Sequence, residues 1–382
     1  MKRRHYESEH LAFGEAVRAF LEKEAVPHVD EWEAAGITPR EIFTTAGANG
    51  FLGMAIPEEY GGGGVADFRF NQIMGEEVQW SMIGGAGLGI TLHNDICLPY
   101  FLSYCTEKQK ARWLPGIASG ELVTAIAMTE PGAGSDLAGI RTSAVRDGES
   151  YVVNGAKTFI TNGIHADLVI VAARTGPDRH RGLSLLVLER GMPGFERGRN
   201  LAKVGQHAQD TAELSFAGVR VPAENLLGAE GDGFLSLVRN LPQERLSIAV
   251  GAVAACRAVF EETRRYVRER NAFGQSLGAQ QNTRFVMAEM ATEIDLAETY
   301  VDRCVDALNE DELPSEDAAK AKWWTTELQG RVVDRCVQLH GGYGYMLEYP
   351  IARAWVDARV TRIYGGATEV MKELIGKSLE LS

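Results

Sequence analysis

The chain has 382 residues, 45% of them hydrophobic and 24% charged, an ordinary globular composition that suits two or three domains or one large multi-layer unit. Its formal charge of −13 argues against non-specific binding to nucleic acid or to anionic membranes. No apolar run approaches the roughly 20 residues that a stable membrane insertion would need.

The N-terminal stretch MKRRHYESEHLAFG is basic at first, then acidic and amphipathic, with no apolar signal core. A cytoplasmic protein of prokaryotic style is the expectation. The five cysteines (Cys97, Cys105, Cys256, Cys304, Cys336) are scattered, odd in number and free of C-x-x-C spacing. They indicate neither a disulfide framework nor a zinc site, and none of the histidines stands in an H-E-x-x-H arrangement.

From Glu7 to about Gly120 the apolar spacing is helical. Leu11, Val17, Phe20, Leu21 and Val26 share one face that ends at Pro27. Further helices are expected over Arg40–Asn49, Phe68–Ser81, Ile83–Leu102 and Glu107–Ser119, separated by glycine or proline signals. His93-Asn94-Asp95 reads as a helix or loop feature, because adjacent helical residues point in different directions. Gly61–Gly64 lacks a preceding strand and a P-loop lysine, and Gly84–Gly89 misses the G-x-G-x-x-G register, so neither reads as a phosphate cradle.

At Glu121 short β-type segments take over: Leu122–Met128, Ile140–Arg146, Tyr151–Val153, Lys157–Thr161, Leu168–Ala173, Leu183–Leu188 and Ala212–Val219. Asp147-Gly148 and Asn154-Gly155 carry hairpin-turn chemistry, which argues for an antiparallel sheet or barrel. After Gly233 helical spacing returns, over Pro242–Arg270, Ala279–Asn309, Ser315–His340, Ile351–Val360 and Thr368–Leu379. Ser315 is an expected N-cap, and Gly341-Gly342 an expected stop. The expected fold class is therefore α+β. It has an N-terminal all-α domain (1–120), a central antiparallel β-barrel or sheet domain (121–230) and a four-helix-bundle-like C-terminal domain (231–382).

Within the last domain, Arg239–Leu246 (RNLPQERL) holds one carboxylate, Glu244, at the expected start of a long amphipathic helix whose first turn would take Pro242. On spacing alone, such a carboxylate more commonly complements the helix dipole than performs chemistry. In the β domain, Ala127–Asp136 (AMTEPGAGSD) is a strand end followed by a glycine-rich loop with exposed N–H and hydroxyl donors, able to wrap a polar cofactor edge. Lys157–Gly163 (KTFITNG) adds an aromatic face beside a hydroxyl. Either could equally be a tight turn of a barrel.

Together these two motifs closely resemble the acyl-CoA dehydrogenase family, the first its A-M-T-E-P-x-A-G-S-D signature and the second its flavin-contacting segment. The resemblance runs the length of the chain and extends to Arg270–Gly274 (RNAFG), Gln338–Gly344 (QLHGGYG) and Arg362–Gly366 (RIYGG). It implies FAD. Met128, Thr129, Gly134, Ser135, Ile160 and Thr161 would address the flavin, with Phe159 beside its ring and Ser135 also on the acyl-CoA path. Arg270, Phe273, Gln281, Gln338, Leu339, Gly341 and Gly342 would reach the cofactor of a neighbouring subunit in a homotetramer, Arg270 by pairing with phosphate. Thr368 and Glu369 would lie on the cofactor side.

The implied chemistry is α,β-dehydrogenation of an acyl-CoA thioester to a trans-2-enoyl-CoA in acyl degradation such as fatty-acid β-oxidation, with electrons passed to an electron-transfer flavoprotein. Most of the family carries its base as a glutamate in an I-Y-E-G motif near the C-terminus. Here the motif reads Ile363-Tyr364-Gly365-Gly366, so that carboxylate is absent. The absence alone would suit a flavin monooxygenase or nitroalkane-oxidase-like relative, or a non-catalytic acyl-CoA- or flavin-binding scaffold. However, Pro242–Leu246 and Ile363–Leu374 resemble the family's long-chain branch, which keeps its base on the long C-terminal helix. Glu244 is then the implied base. Gly365 leaves room for its carboxylate and offers a backbone N–H to the thioester oxygen, beside a ribityl hydroxyl. Leu235, Pro242, Gln243, Arg245 and Gly366 would line the substrate path, which suits a medium, long or branched acyl chain.

Overall fold

The computed structural model describes residues 3–381 and shows three structural layers in the expected order. Seven helices come first: α1 (Ser8–Glu24), α2 (Val29–Ala35), α3 (Glu41–Ala48), α4 (Phe68–Trp80), α5 (Gly84–Thr91), α6 (Leu98–Tyr104) and α7 (Glu107–Ser119). The spacing missed α2, a two-turn helix that buries Val29 and Trp32. Thr106 caps α7 through a reciprocal bond with Gln109, and Gly120 ends it in the left-handed conformation. Between α5 and α6 the chain winds into a π-helical turn, Leu92–Cys97. It holds the His93-Asn94-Asp95 triplet, all three buried and aimed at different neighbours.

The middle layer is one eight-stranded sheet built from β1 (Thr124–Ala127), β2 (Ser143–Asp147), β3 (Ser150–Thr161), β4 (Leu168–Arg174), β5 (Leu183–Glu189), β6 (Phe195–Asn200), β7 (Thr211–Pro222) and β8 (Leu226–Leu227). Its path is β6-β7-β3-β2-β4-β5-β8, with β1 beside β4. Two expectations are corrected here. The sheet is mixed, because β1 pairs parallel to β4 and β2 touches β4 in the same sense. Asn154-Gly155 is no turn: it lies inside the twelve-residue β3, at a register shift against β7. Of the two dipeptides, Asp147-Gly148 is the one that makes a hairpin, joining β2 to β3. A polar dipeptide within a long bulged strand has the same local chemistry as a turn, and only the partner strand distinguishes them.

Strands β4 and β5 are buried along almost their whole length because both faces are covered. Val169 and Val171 face one core with Leu186, while Ile170 and Ala172 face another with Phe101, Trp113 and Leu237. The five cysteines are free thiols.

The last layer holds α8 (Gly233–Glu269), a small hairpin of β9 (Asn271–Ala272) and β10 (Gln275–Ser276), α9 (Gln281–Asn309), α10 (Ser315–His340), α11 (Pro350–Ala358) and α12 (Thr368–Ser378). Ser315 opens α10 as its first helical residue and Pro314 takes the cap position, so the expected N-cap is displaced by one. The larger correction concerns α8, which starts about two and a half turns before Pro242 and runs through it. Pro242 removes one rung of the helix, yet Leu237, fully buried against the sheet, holds the preceding turns in place. Glu244 is thus an interior helical residue, not a dipole-complementing one. Helix α4 packs along α8, with Gly75 against Val250 and Phe68 inside the bundle's core. No helix among the described residues is long and apolar enough to cross a membrane.

Candidate active site

All three layers meet at one cavity of about 1070 Å³. The β layer contributes Met128, Thr129, Gly134, Ser135, Phe159, Ile160 and Thr161, which is every residue expected near the flavin ring. Phe159 is 67% exposed and has φ of +60°, so its ring stands out of the sheet as an open aromatic face. Two residues earlier in the same strand, Lys157 enters a buried ion pair. Lys157 Nζ donates to Glu130 Oε1 at 2.9 Å and to the Met128 carbonyl at 2.9 Å. Burial opposes ionisation of Glu130, but bonds from Thr142, Arg141 and Lys157 outweigh it and hold its carboxyl below the usual range. The loop and the strand that carry the cofactor motifs are therefore tied together.

The helical layers supply Glu244, Arg245, Gly365 and Gly366 to the same cavity. Glu244 is 3% exposed, and burial pushes its carboxyl up to about 7. Among the described residues its one hydrogen-bond partner is Tyr100, whose hydroxyl donates to Oε1 at 2.7 Å. Burial holds the Tyr100 hydroxyl far above its ordinary range, so it remains a donor. The next residue, Arg245, is also buried, and its Nε reaches the Gly365 carbonyl at 3.4 Å. Lys322 Nζ holds the neighbouring Gly366 carbonyl at 2.6 Å.

Gly365 has φ of +62°, a conformation that favours glycine, and a Cβ there would overlap the side chain of Ile248. The space beside Gly365 is thus taken by Ile248, one turn along α8 from Glu244. This corrects the expectation of a gap through which the Glu244 carboxylate reaches.

Of the residues expected on the substrate path, Ser135, Arg245 and Gly366 line the cavity. Leu235 is exposed away from it, and Pro242 and Gln243 are half-buried behind it. Gln243 Nε2 donates to the Asp95 carbonyl at 2.9 Å. Thr368 is turned toward Glu327, and Glu369 is exposed on the first turn of α12 outside the cavity.

The residues expected to serve a neighbouring subunit form a separate surface patch. Tyr266 stacks on His340 at 4.2 Å between ring centroids, and the Arg270 guanidinium lies 5.5 Å over Tyr343. This joins the β9–β10 hairpin to the end of α10. Phe273 is 97% exposed, and Gln281, Gln338, Gly341 and Gly342 are exposed with it. Leu339 differs: its side chain packs against the bundle core, which leaves only its main chain for a cofactor.

Three family descriptions match this chain in order: "Acyl-CoA dehydrogenase, N-terminal domain" over residues 7–121, "middle domain" over 125–219 and "C-terminal domain" over 231–380. The chain belongs to the acyl-CoA dehydrogenase family. It is an FAD-dependent oxidoreductase that dehydrogenates acyl-CoA thioesters. The mitochondrial long-chain specific acyl-CoA dehydrogenase of Mus musculus is 48% identical over 380 residues, covering 99% of this chain and 88% of the relative. An acyl-CoA dehydrogenase structure from Geobacillus kaustophilus superposes with a TM-score of 0.97 at 52% identity and full coverage of both chains. A glutaryl-CoA dehydrogenase from Mycobacterium smegmatis in complex with FADH2 gives 0.92 at 28% identity, covering 98% of this chain and 95% of the other.

Proposed function

We propose that Glu244 is the base that removes the α-proton, and that the Gly365 backbone N–H binds the thioester oxygen. The observation that carries this reading is a buried carboxylate on the same cavity as the cofactor motifs. An α-proton beside a thioester is weakly acidic, so its base needs a raised proton affinity. Burial supplies that here by lifting the Glu244 carboxyl to about 7. Tyr100 fixes Oε1 and leaves Oε2 to take the proton. Negative charge then develops on the thioester oxygen, where a fixed N–H donor is most effective. The Arg245 and Lys322 contacts to the two following carbonyls keep the Gly365–Gly366 turn rigid. Bound FAD supplies the two-electron acceptor for the β-hydrogen, held by the Met128–Ser135 loop and the Phe159–Thr161 strand.

The acyl chain lies along α8, in the groove between that helix and α4. Cavity-lining positions on α8 continue from Glu244 through Ile248, Gly251 and Ala255 to Val259, a wall about 22 Å long at about 1.5 Å per residue. That length favours medium to long or branched chains. Family membership supports a homotetramer and an electron-transfer flavoprotein as the oxidant, and the exposed Arg270–Phe273 and Gln338–Gly342 patch suits cofactor contacts across subunits.

The test is anaerobic mixing of the yellow protein with acyl-CoAs of increasing length. Flavin bleaching with formation of the trans-2-enoyl-CoA is expected, with the best turnover on medium to long chains. Binding without bleaching, or a hydroxylated product in oxygen, would overturn the reading.

Two substitutions probe its parts. A Cβ added at Gly251 meets nothing within 4 Å, so Gly251→Leu should project into the groove without straining the helix. The preferred chain length should shorten while thermal stability holds, and an unchanged length profile would remove the acyl chain from this groove. Tyr100→Phe deletes a donor to the ionised form of Glu244, so its pKa should rise further above about 7. The acidic limb of the kcat profile should move to higher pH by about one unit, with activity recovered on the alkaline side.

A further inference from the structure

The acyl groove holds a second buried carboxylate that proton abstraction does not use. Asp95, in the π-helical turn, is 2% exposed and lines the cavity. Its Oδ1 accepts from Asn71 Nδ2 at 2.7 Å on α4, and its Oδ2 accepts from Ser247 Oγ at 2.6 Å on α8. All three residues lie on the cavity wall, beside Leu92, Ile96, Leu241 and Ile248. Among the described residues no lysine, arginine or histidine pairs with Asp95, and burial lifts its carboxyl to about 7.

Three elements thus bring three polar side chains to one point of a largely apolar groove. Each carboxyl oxygen has a single neutral donor and keeps capacity for another partner. Burying a carboxyl without a cation is costly, and apolar residues would line a groove for plain acyl chains more cheaply. Ser247 follows Glu244 by three residues, about 4.5 Å further along the helix in the direction of Gly251. The node therefore faces the chain a short distance beyond the reacting carbons. π-helical turns inside helices are often found at functional sites.

We propose that Asp95, with Asn71 and Ser247, is a specificity node that hydrogen-bonds a hydroxyl or oxo group on the acyl chain a few carbons beyond the β-carbon. This rests on the reading of the groove as the acyl site. The substrate class is then acyl-CoAs carrying a mid-chain oxygen, accepted alongside unsubstituted ones.

The experiment compares dodecanoyl-CoA with its hydroxylated isomers, the hydroxyl moved from carbon four through carbon eight, on flavin-loaded wild type and variants. One isomer should be used at least as well as the parent chain by the wild type. Asp95→Leu should cut kcat/KM for that isomer about 10-fold or more relative to dodecanoyl-CoA, because an unpaired polar group in a buried site is strongly disfavoured. Asp95→Asn keeps both neighbours by reversing the Ser247 bond and should retain most of the preference. If Asp95→Leu does not load flavin, Ser247→Leu, which fills the node from the opposite wall, gives the same comparison. An equal loss on all chains assigns Asp95 to packing and overturns the proposal. So does a ratio that is independent of hydroxyl position or unaltered by the substitutions. Failure of dodecanoyl-CoA itself on the wild type would instead sink the acyl-site reading.

Discussion

Glu244→Gln should lower the rate of flavin bleaching by about a thousandfold while the protein remains yellow and binds acyl-CoA, because it removes the proton acceptor and little volume. The same substitution should not destabilise the fold. The Glu244 carboxyl rises from 4.5 to about 7 on folding, so its favourable contribution is present below about 4.5 and is lost as pH climbs through about 7. Above that point the wild type carries an ionised buried carboxylate, at a cost on the order of 3 kcal/mol, that the glutamine variant lacks. The variant's thermal midpoint should therefore match the wild type at pH 5 and exceed it at pH 8. Undiminished bleaching by the variant would remove Glu244 from the chemistry. A wild-type kcat that does not rise with pH through about 7 would count against a carboxylate base.

Lys157→Met should have the largest effect on stability. Lys157 and Glu130 are both buried and bonded at 2.9 Å, and removing one member leaves the other as an uncompensated charge. Breaking such a pair typically costs about 3–5 kcal/mol. The loss falls on the Met128 carbonyl and the 141–142 backbone that Glu130 holds, so the cofactor loop should loosen with it. A lower thermal midpoint and a reduced flavin-to-protein ratio after gel filtration are expected together. Full flavin retention at an unchanged midpoint would show that the pair does not hold the loop.

Layer order, most helices and the cofactor motifs were legible in the chain because each rests on local chemistry. Helical apolar spacing, the Thr106 cap and the glycine stops act within a few residues of themselves. The misreadings share a cause. Asn154-Gly155 carries turn chemistry that the pairing of β3 with β7 overrides. Pro242 has the local chemistry of a helix start, yet burial of Leu237 carries the helix past it. The parallel pairing of β1 with β4 leaves no trace in either strand's own pattern.

At the site, the sequence showed that the family's usual carboxylate is missing at Gly365, and the resemblance to the long-chain branch pointed to Glu244 as the proposed replacement. The residues proposed to face the flavin were also legible there, since their hydroxyls, glycines and aromatic ring lie in two continuous stretches. Only the tertiary structure decided that Glu244 is buried, that Tyr100, 144 positions away, holds its Oε1, and that Ile248 covers Gly365. It likewise gathered Asn71, Asp95 and Ser247 from three helical segments into one node. The physical reason is that proton affinity depends on water exclusion and on the nearest donor. Both are set by packing between segments far apart in the chain.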